Sequence, residues 1–145
     1  LVIKGHTRDK YSGGLSFIEE QSLSEFDSIT FADDGLHSPL LVSMANAVIV
    51  YGSSICFEAL RQHIPVCRPK YICSNNTIFD GSGLVYEAEC ENEVLEFIRD
   101  IESHKIKFEG KLLERFFQEH VENNSTNYDV LERYVNLIAK YLEQT

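Results

Sequence analysis

The segment Val50-Tyr51-Gly52-Ser53-Ser54-Ile55-Cys56-Phe57-Glu58 joins a short apolar run to a helix-like pattern. Small and hydroxylated residues at such a junction suit the binding of an anion. Gly52 lets the backbone approach a ligand closely. A helix starting near Ser54 directs N–H groups and the positive end of its dipole at the same spot. Ser53 and Ser54 add hydroxyl donors. The ligand expected from these parts is a phosphate or diphosphate. The same residues also suit a plain turn with a capping serine. The segment is neither a Walker A loop nor GxGxxG. Glu58 lies one turn into the expected helix, within reach of the ribose hydroxyls of a nucleotide whose phosphates sit at Ser53 and Ser54. Its alternative role is that of a surface carboxylate stabilising the first turn.

Two other groups carry candidate chemistry. After the run "LVIK", Lys4, His6 and Arg8 form a cationic cluster suited to neutralising a phosphate or a leaving diphosphate. His6 is the strongest candidate of the three, and Arg8 and Lys10 are expected in an exposed loop. In "ADDGLHSPLL", the backbone around Leu36, His37 and Ser38 is placed to hold a nucleobase. Asp33 and Asp34 are expected to start a turn, and no metal is assigned. His63, His104 and His120 lack partners at ligand spacing and are expected to be structural or exposed. Cys56 and Cys67 sit in apolar surroundings and are expected in the core, and the four cysteines have no CxxC spacing.

The elements that must position these residues follow from periodicity. Strand-length apolar runs occur at 1–4, 28–32, 47–50, 65–69 and 83–88. Helical patterns lie between and after them. Residues 14–25 are weakly helical, and 38–46 form a helix with Ser38 as N-cap and Pro39 as its first residue. From Ser54 to about His63, Ile55, Ala59 and Leu60 make the apolar side. Residues 92–103 use Val94, Leu95, Ile98 and Ile101. Leu112, Leu113, Phe116, Phe117 and Val121 form a further stripe. A last helix uses Leu131, Tyr134, Val135, Ile138, Tyr141 and Leu142. Alternating strands and helices predict one α/β domain with a parallel sheet, helices on both faces and a helical C-terminus. In such sheets ligands bind beyond the carboxyl ends of the strands, where all three candidate groups fall.

Composition sets outer limits. The chain has 145 residues, 43% hydrophobic and 25% charged, with net charge −10. That is enough for one domain with its own core. Residues 1–70 carry six positive and eight negative charges, while residues 71–145 carry seven and fifteen. The acidic balance argues against nucleic acid as a partner, and the "GSS" segment lies in the nearly neutral half. No apolar run approaches membrane-spanning length. Because the sequence opens with Leu1 inside an apolar run, a piece of a longer protein is expected.

The strings "LVIKGH" and "LLVSMANAVIVYGSSICFEALRQHIPV" resemble the C-terminal half of GT-B glycosyltransferases of bacterial surface-polysaccharide assembly. Capsule Kdo-transferase-like proteins and CDP-glycerol glycerophosphotransferases are the most similar of these. Lys4 and His6 match a K/R-x-H-P element, with Thr7 where proline is usual. Ser53, Ser54, Phe57, Glu58, Ala59, Leu60 and Pro65 match a second block, with Asn46 where aspartate is frequent and Tyr51-Gly52 in place of Asp-Tyr. The likeness covers roughly residues 1–100. It implies a Rossmann-like domain, one half of a GT-B fold, that binds a CMP-, CDP- or UDP-linked sugar donor without metal or other cofactor. Ser53 and Ser54 would then hold donor phosphate, Glu58 the ribose or donor polyol, and His6 the departing phosphate as the catalytic group. It further implies a glycan acceptor bound by an N-terminal domain outside this sequence, no turnover by this piece alone, and a cytoplasmic setting at the inner face of the membrane. Alternatives are glycerol phosphate transfer, a nucleotide-sugar epimerase of the same fold, and a non-catalytic nucleotide-binding or assembly module.

Overall fold

The computed structural model describes residues 1–5, 26–33, 35–72, 75–106, 109–121, 135–136 and 139–140. The chain divides into two units, Leu1–Met44 and Ala45–Thr145.

In the first unit, strands β1 (Val2–Ile3) and β2 (Thr30–Phe31) pair in parallel, with Val2 opposite Thr30 and Ile3 opposite Phe31. Backbone bonds from Thr30 to Leu1 (2.9 Å) and from Ala32 to Ile3 (2.8 Å) complete the ladder. Helix α1 (Ser38–Ser43) follows. Its N-cap is His37, because the His37 carbonyl accepts the first turn's bonds from Leu40 and Leu41. Ser38 is therefore already helical, and Pro39 stands one place further in than the sequence indicated. The expected helix at 14–25 lies outside the described residues.

In the second unit, β3 (Val48–Ile49), β4 (Val66–Pro69) and β5 (Tyr86–Ala88) form a sheet in that order, all parallel. Val48 and Ile49 face Val66 and Cys67, and Cys67 to Pro69 face Tyr86 to Ala88. All five apolar runs thus contain strands, each shorter than its run. Every residue of the central β4 is buried, as expected of a strand covered on both faces.

Side chains alternate across that strand. On one face, Cys67 and Ala88 pack with Phe97 of helix α3 (Glu91–Glu102), with Tyr86, Val94, Ile101 and Ile106 around them. The α3 face is centred on Phe97, flanked by Val94 and Ile101 at helical spacing. Leu95 and Ile98, expected inside, are exposed. Arg68 points to the other face. There it acts electrostatically on Cys56 of helix α2 (Ile55–Arg61). The buried side of α2 is Cys56, Ala59 and Leu60, with Ile55 only half-buried. Both core thiols are inert near neutral pH. Burial pushes Cys56 up to about 11 against the opposing pull of Arg68, and burial alone pushes Cys67 up to about 11.

Parallel neighbours need a long crossover, usually a helix. Among the described residues between β4 and β5 there is none. Instead the segment Thr77–Gly83 is tied to the sheet by side chains. Arg68, 3% exposed, pairs with Asp80. The Thr77 hydroxyl also donates to Asp80 (2.8 Å). The Gly81 N–H donates to Glu87 (2.5 Å), whose other oxygen lies 3.0 Å from Lys70. Gly81 and Gly83 both have positive φ. Phe79 inserts into an aromatic cluster, edge-on to Phe57 of α2 (4.9 Å) and stacked on Phe116 (5.5 Å) of helix α4 (Gly110–His120). Leu113, Phe116 and Phe117 are the buried side of α4, and the Arg61 guanidinium lies 4.9 Å above Phe117. Residues 135–136 and 139–140, within the expected last helix, are helical. Among the described residues no helix is long and apolar enough to cross a membrane.

Phe97→Ala should cost about 3–5 kcal/mol, measured by urea unfolding, because the side chain is fully enclosed. Acid should release the strap. The Thr77 hydroxyl bond, opposed by desolvation and aided by Arg68, holds the Asp80 carboxyl below its usual range. A depressed carboxylate stabilises the fold above its ordinary value and loses that contribution as pH falls through the folded one. Melting curves between pH 7 and pH 2 should therefore show a shallower acid limb for Asp80→Asn than for the native chain. Glu87, held low by Gly81 and Lys70 against the effect of burial, titrates in the same direction and keeps part of that limb.

Candidate anion-binding turn at the carboxyl edge of the sheet

The turn after β3 lies at the carboxyl edge of the second unit's sheet. Val50 still bonds to Cys67 of β4 (3.0 Å), and the chain leaves the ladder at Tyr51. Gly52 has φ +106 and is exposed, and a Cβ there would meet nothing within 4 Å. Glycine is therefore required by the backbone conformation and not by crowding. Its open side leaves the main chain accessible.

The donors are not those the sequence indicated. The first N–H groups of α2 are already used. Ile55 donates to the Ser53 hydroxyl (3.4 Å), Cys56 to the Ser53 carbonyl (3.2 Å) and Phe57 to the Ser54 carbonyl (3.0 Å). Ser54 is the N-cap but makes no side-chain cap bond, because its backbone is already in the right-handed helical region. An N-cap serine normally sits in extended backbone to reach back to the second or third helical N–H. Among the described residues, nothing takes the N–H groups of Gly52, Ser53 and Ser54 or the Ser54 hydroxyl. Successive N–H groups in a turn of this kind make an anion-binding concavity without a helix dipole. Glu58 is exposed one turn on, beside the buried Cys56, Ala59 and Leu60.

Gly52, Ser53, Ser54 and Glu58 are contiguous in the second unit. Lys4, His37 and Ser38 belong to the first unit. Lys4 follows the carboxyl end of β1, while His37 and Ser38 open α1. His6, like Arg8, Lys10 and Asp34, lies outside the described residues. Asp33 accepts the Gly35 N–H (2.7 Å), the turn-starting role expected of it. His63 and His104 occupy left-handed positions just past α2 and α3 (φ 57 and 53), where helices commonly end on glycine. His120 lies against Phe116.

Sequence reasoning overlooked a second group at this edge. Lys70, just past β4, lies within ion-pair distance of Glu87 (3.0 Å) and Glu89 (3.4 Å). Tyr71, Glu89, Cys90, Glu91 and Asn92 line a shallow cavity of about 300 Å³ beside them. Only the parallel register of β4 and β5 brings these residues together, so local spacing carries no sign of them. A second cavity, of about 370 Å³, is lined by Asn46, Pro65, Ile101, Glu102, His104 and Ile106. Neither cavity is lined by the Gly52–Ser54 turn.

Gly52→Ala should destabilise the fold by roughly 1–3 kcal/mol through backbone strain alone. Urea unfolding of this variant beside Gly110→Ala, where φ is ordinary and space is equally open, isolates that cost.

No family model, no curated protein and no solved structure matches this chain.

Proposed function

We propose that this chain is the donor-nucleotide-binding domain of a GT-B-type glycosyltransferase. In this reading it has a Rossmann-like fold and acts in surface-polysaccharide synthesis in the bacterial cytoplasm, at the inner face of the membrane. The observation that carries the proposal is the Gly52–Ser54 turn, open to solvent at Gly52 and Ser54, beyond the carboxyl end of a parallel strand, with Glu58 exposed one turn further on. In α/β sheets this is the edge where nucleotides bind.

Donor phosphate accepts the N–H groups of Gly52, Ser53 and Ser54 and the Ser54 hydroxyl, and Glu58 accepts ribose hydroxyls. Fixed donors aimed at the departing phosphate stabilise the charge that develops on it as the sugar leaves, with no step assigned to a metal. Lys4, His6, His37 and Ser38 remain candidates from the sequence alone, and the proposal assigns them no contact with the turn. The acceptor glycan is assigned to a further domain of a longer protein.

Calorimetric titration with CMP, CDP, UDP and GDP, paired with ligand-free melts, tests the reading. At least one nucleotide should bind and raise the melting temperature. Glu58→Gln should weaken that binding by about 1.5–3 kcal/mol, the range for a hydrogen bond to a charged group. Its ligand-free melt should barely move, because the side chain is exposed. Ser54→Ala should also weaken binding without a capping penalty, since the Ser54 side chain makes no cap bond. Absence of binding by all four nucleotides would defeat the proposal. Unchanged affinity for Glu58→Gln with a lowered melting temperature would make Glu58 structural. Binding of CDP-glycerol in preference to nucleotide sugars would move the chain to glycerol phosphate transfer.

A further inference from the structure

The segment Thr77–Gly83 occupies the place of a crossover helix but is held by different forces. Its main-chain hydrogen bonds are internal. Asp80 donates to Thr77 (3.1 Å) and Ser82 to Phe79 (3.1 Å). Among the described residues, no backbone-to-backbone hydrogen bond joins it to the sheet or to a helix. Three side-chain links do so instead. Arg68 of β4 grips Asp80, Glu87 of β5 grips the Gly81 N–H, and Phe79 sits between Phe57 and Phe116. The second oxygen of Asp80 is buried without a partner, so the polar grip on this side is incomplete. Gly81 and Gly83, at φ +69 and +72, supply two adjacent points where the backbone turns with little steric cost.

We propose that Thr77–Gly83 is a latch that opens as a unit while the sheet stays folded. Segments held by few links and no ladder are those that open below the free energy of global unfolding. Opening withdraws Phe79 and uncovers the apolar seat made by Phe57 of α2 and Phe116 of α4. Closure restores two polar grips and the two ring contacts of Phe79. The latch does not depend on whether the Gly52–Ser54 turn binds phosphate.

Native-state hydrogen exchange of the full chain, read by mass spectrometry at pH 7, tests this. Amides of residues 78–84 should exchange at least roughly tenfold faster than those of β4, β5 and α3 in the native chain. Asp80→Asn, which removes the charge from the Arg68 grip, should accelerate residues 78–84 by a further factor of about ten or more, leaving β4, β5 and α3 unchanged. Glu87→Gln should act in the same direction, with its largest effect near Gly81. Equal protection of 78–84 and the sheet in the native chain would overturn the latch, since the segment would then open only with the whole domain. Acceleration of β4, β5 and α3 together with 78–84 in both variants would overturn it as well.

Discussion

The second unit depends on the neutralisation of one charge. Arg68 sits in the middle of the central strand, almost wholly removed from water, with its guanidinium paired to Asp80. A buried charge is tolerated only when it is paired and hydrogen-bonded, so the segment that covers Arg68 must also carry Asp80. Asp80 brings the connecting segment, and the next residue back is Phe79. Phe79 brings together α2 and α4 through Phe57 and Phe116. One polar requirement in a strand thus fixes the path of the connection from β4 to β5 and the packing of two helices. The opposite face needs no such device. Cys67, Ala88 and Phe97 meet there as plain apolar surface.

The same contrast separates what was legible in the sequence from what was not. The five apolar runs carry the strands because short Val- and Ile-rich segments have few other ways to be buried. Parallel pairing of β3 and β4 followed from the helical pattern between them, whereas β4 and β5 pair in parallel with no such pattern between. Phe97, in contrast, was passed over in favour of Leu95 and Ile98, since helical periodicity gives a stripe but not its centre. Ser38 was taken as a cap on residue type, whereas the His37 carbonyl starts the helix. The links Arg68–Asp80 and Lys70–Glu87 had no sequence signal at all. Lys70 and Glu87 meet only after β4 and β5 align, and Arg68 and Asp80 only once the connecting segment folds back over β4.

At the candidate turn, the end of the strand was legible and the order of hydrogen bonds was not. The change from apolar run to small residues marks the end of a strand, and Gly52 marks a backbone that other residues avoid. The order of hydrogen bonds is a three-dimensional matter. Ser53 folds back on Ile55 and Cys56 and consumes the helix N–H groups. The unbonded N–H groups are therefore those of Gly52, Ser53 and Ser54 and not those that open the short α2. Glu58 stays outside because Cys56, Ala59 and Leu60 take the buried side, so its carboxylate remains free of any packing duty.

The spacing of the buried pair also bears on the order of assembly. Arg68 and Asp80 are 12 residues apart, a shorter span than separates Cys67 from Tyr86 or Val48 from Val66 in the paired strands. The entropy lost in closing a loop grows with its length. The ionic contact is thus the least costly of the three closures, and it discharges β4 before either neighbouring strand must accept it. In a chain emerging from its N-terminus, Asp80 also becomes available before Tyr86 of β5. The charge on the central strand can then be neutralised before the second neighbouring strand pairs with it.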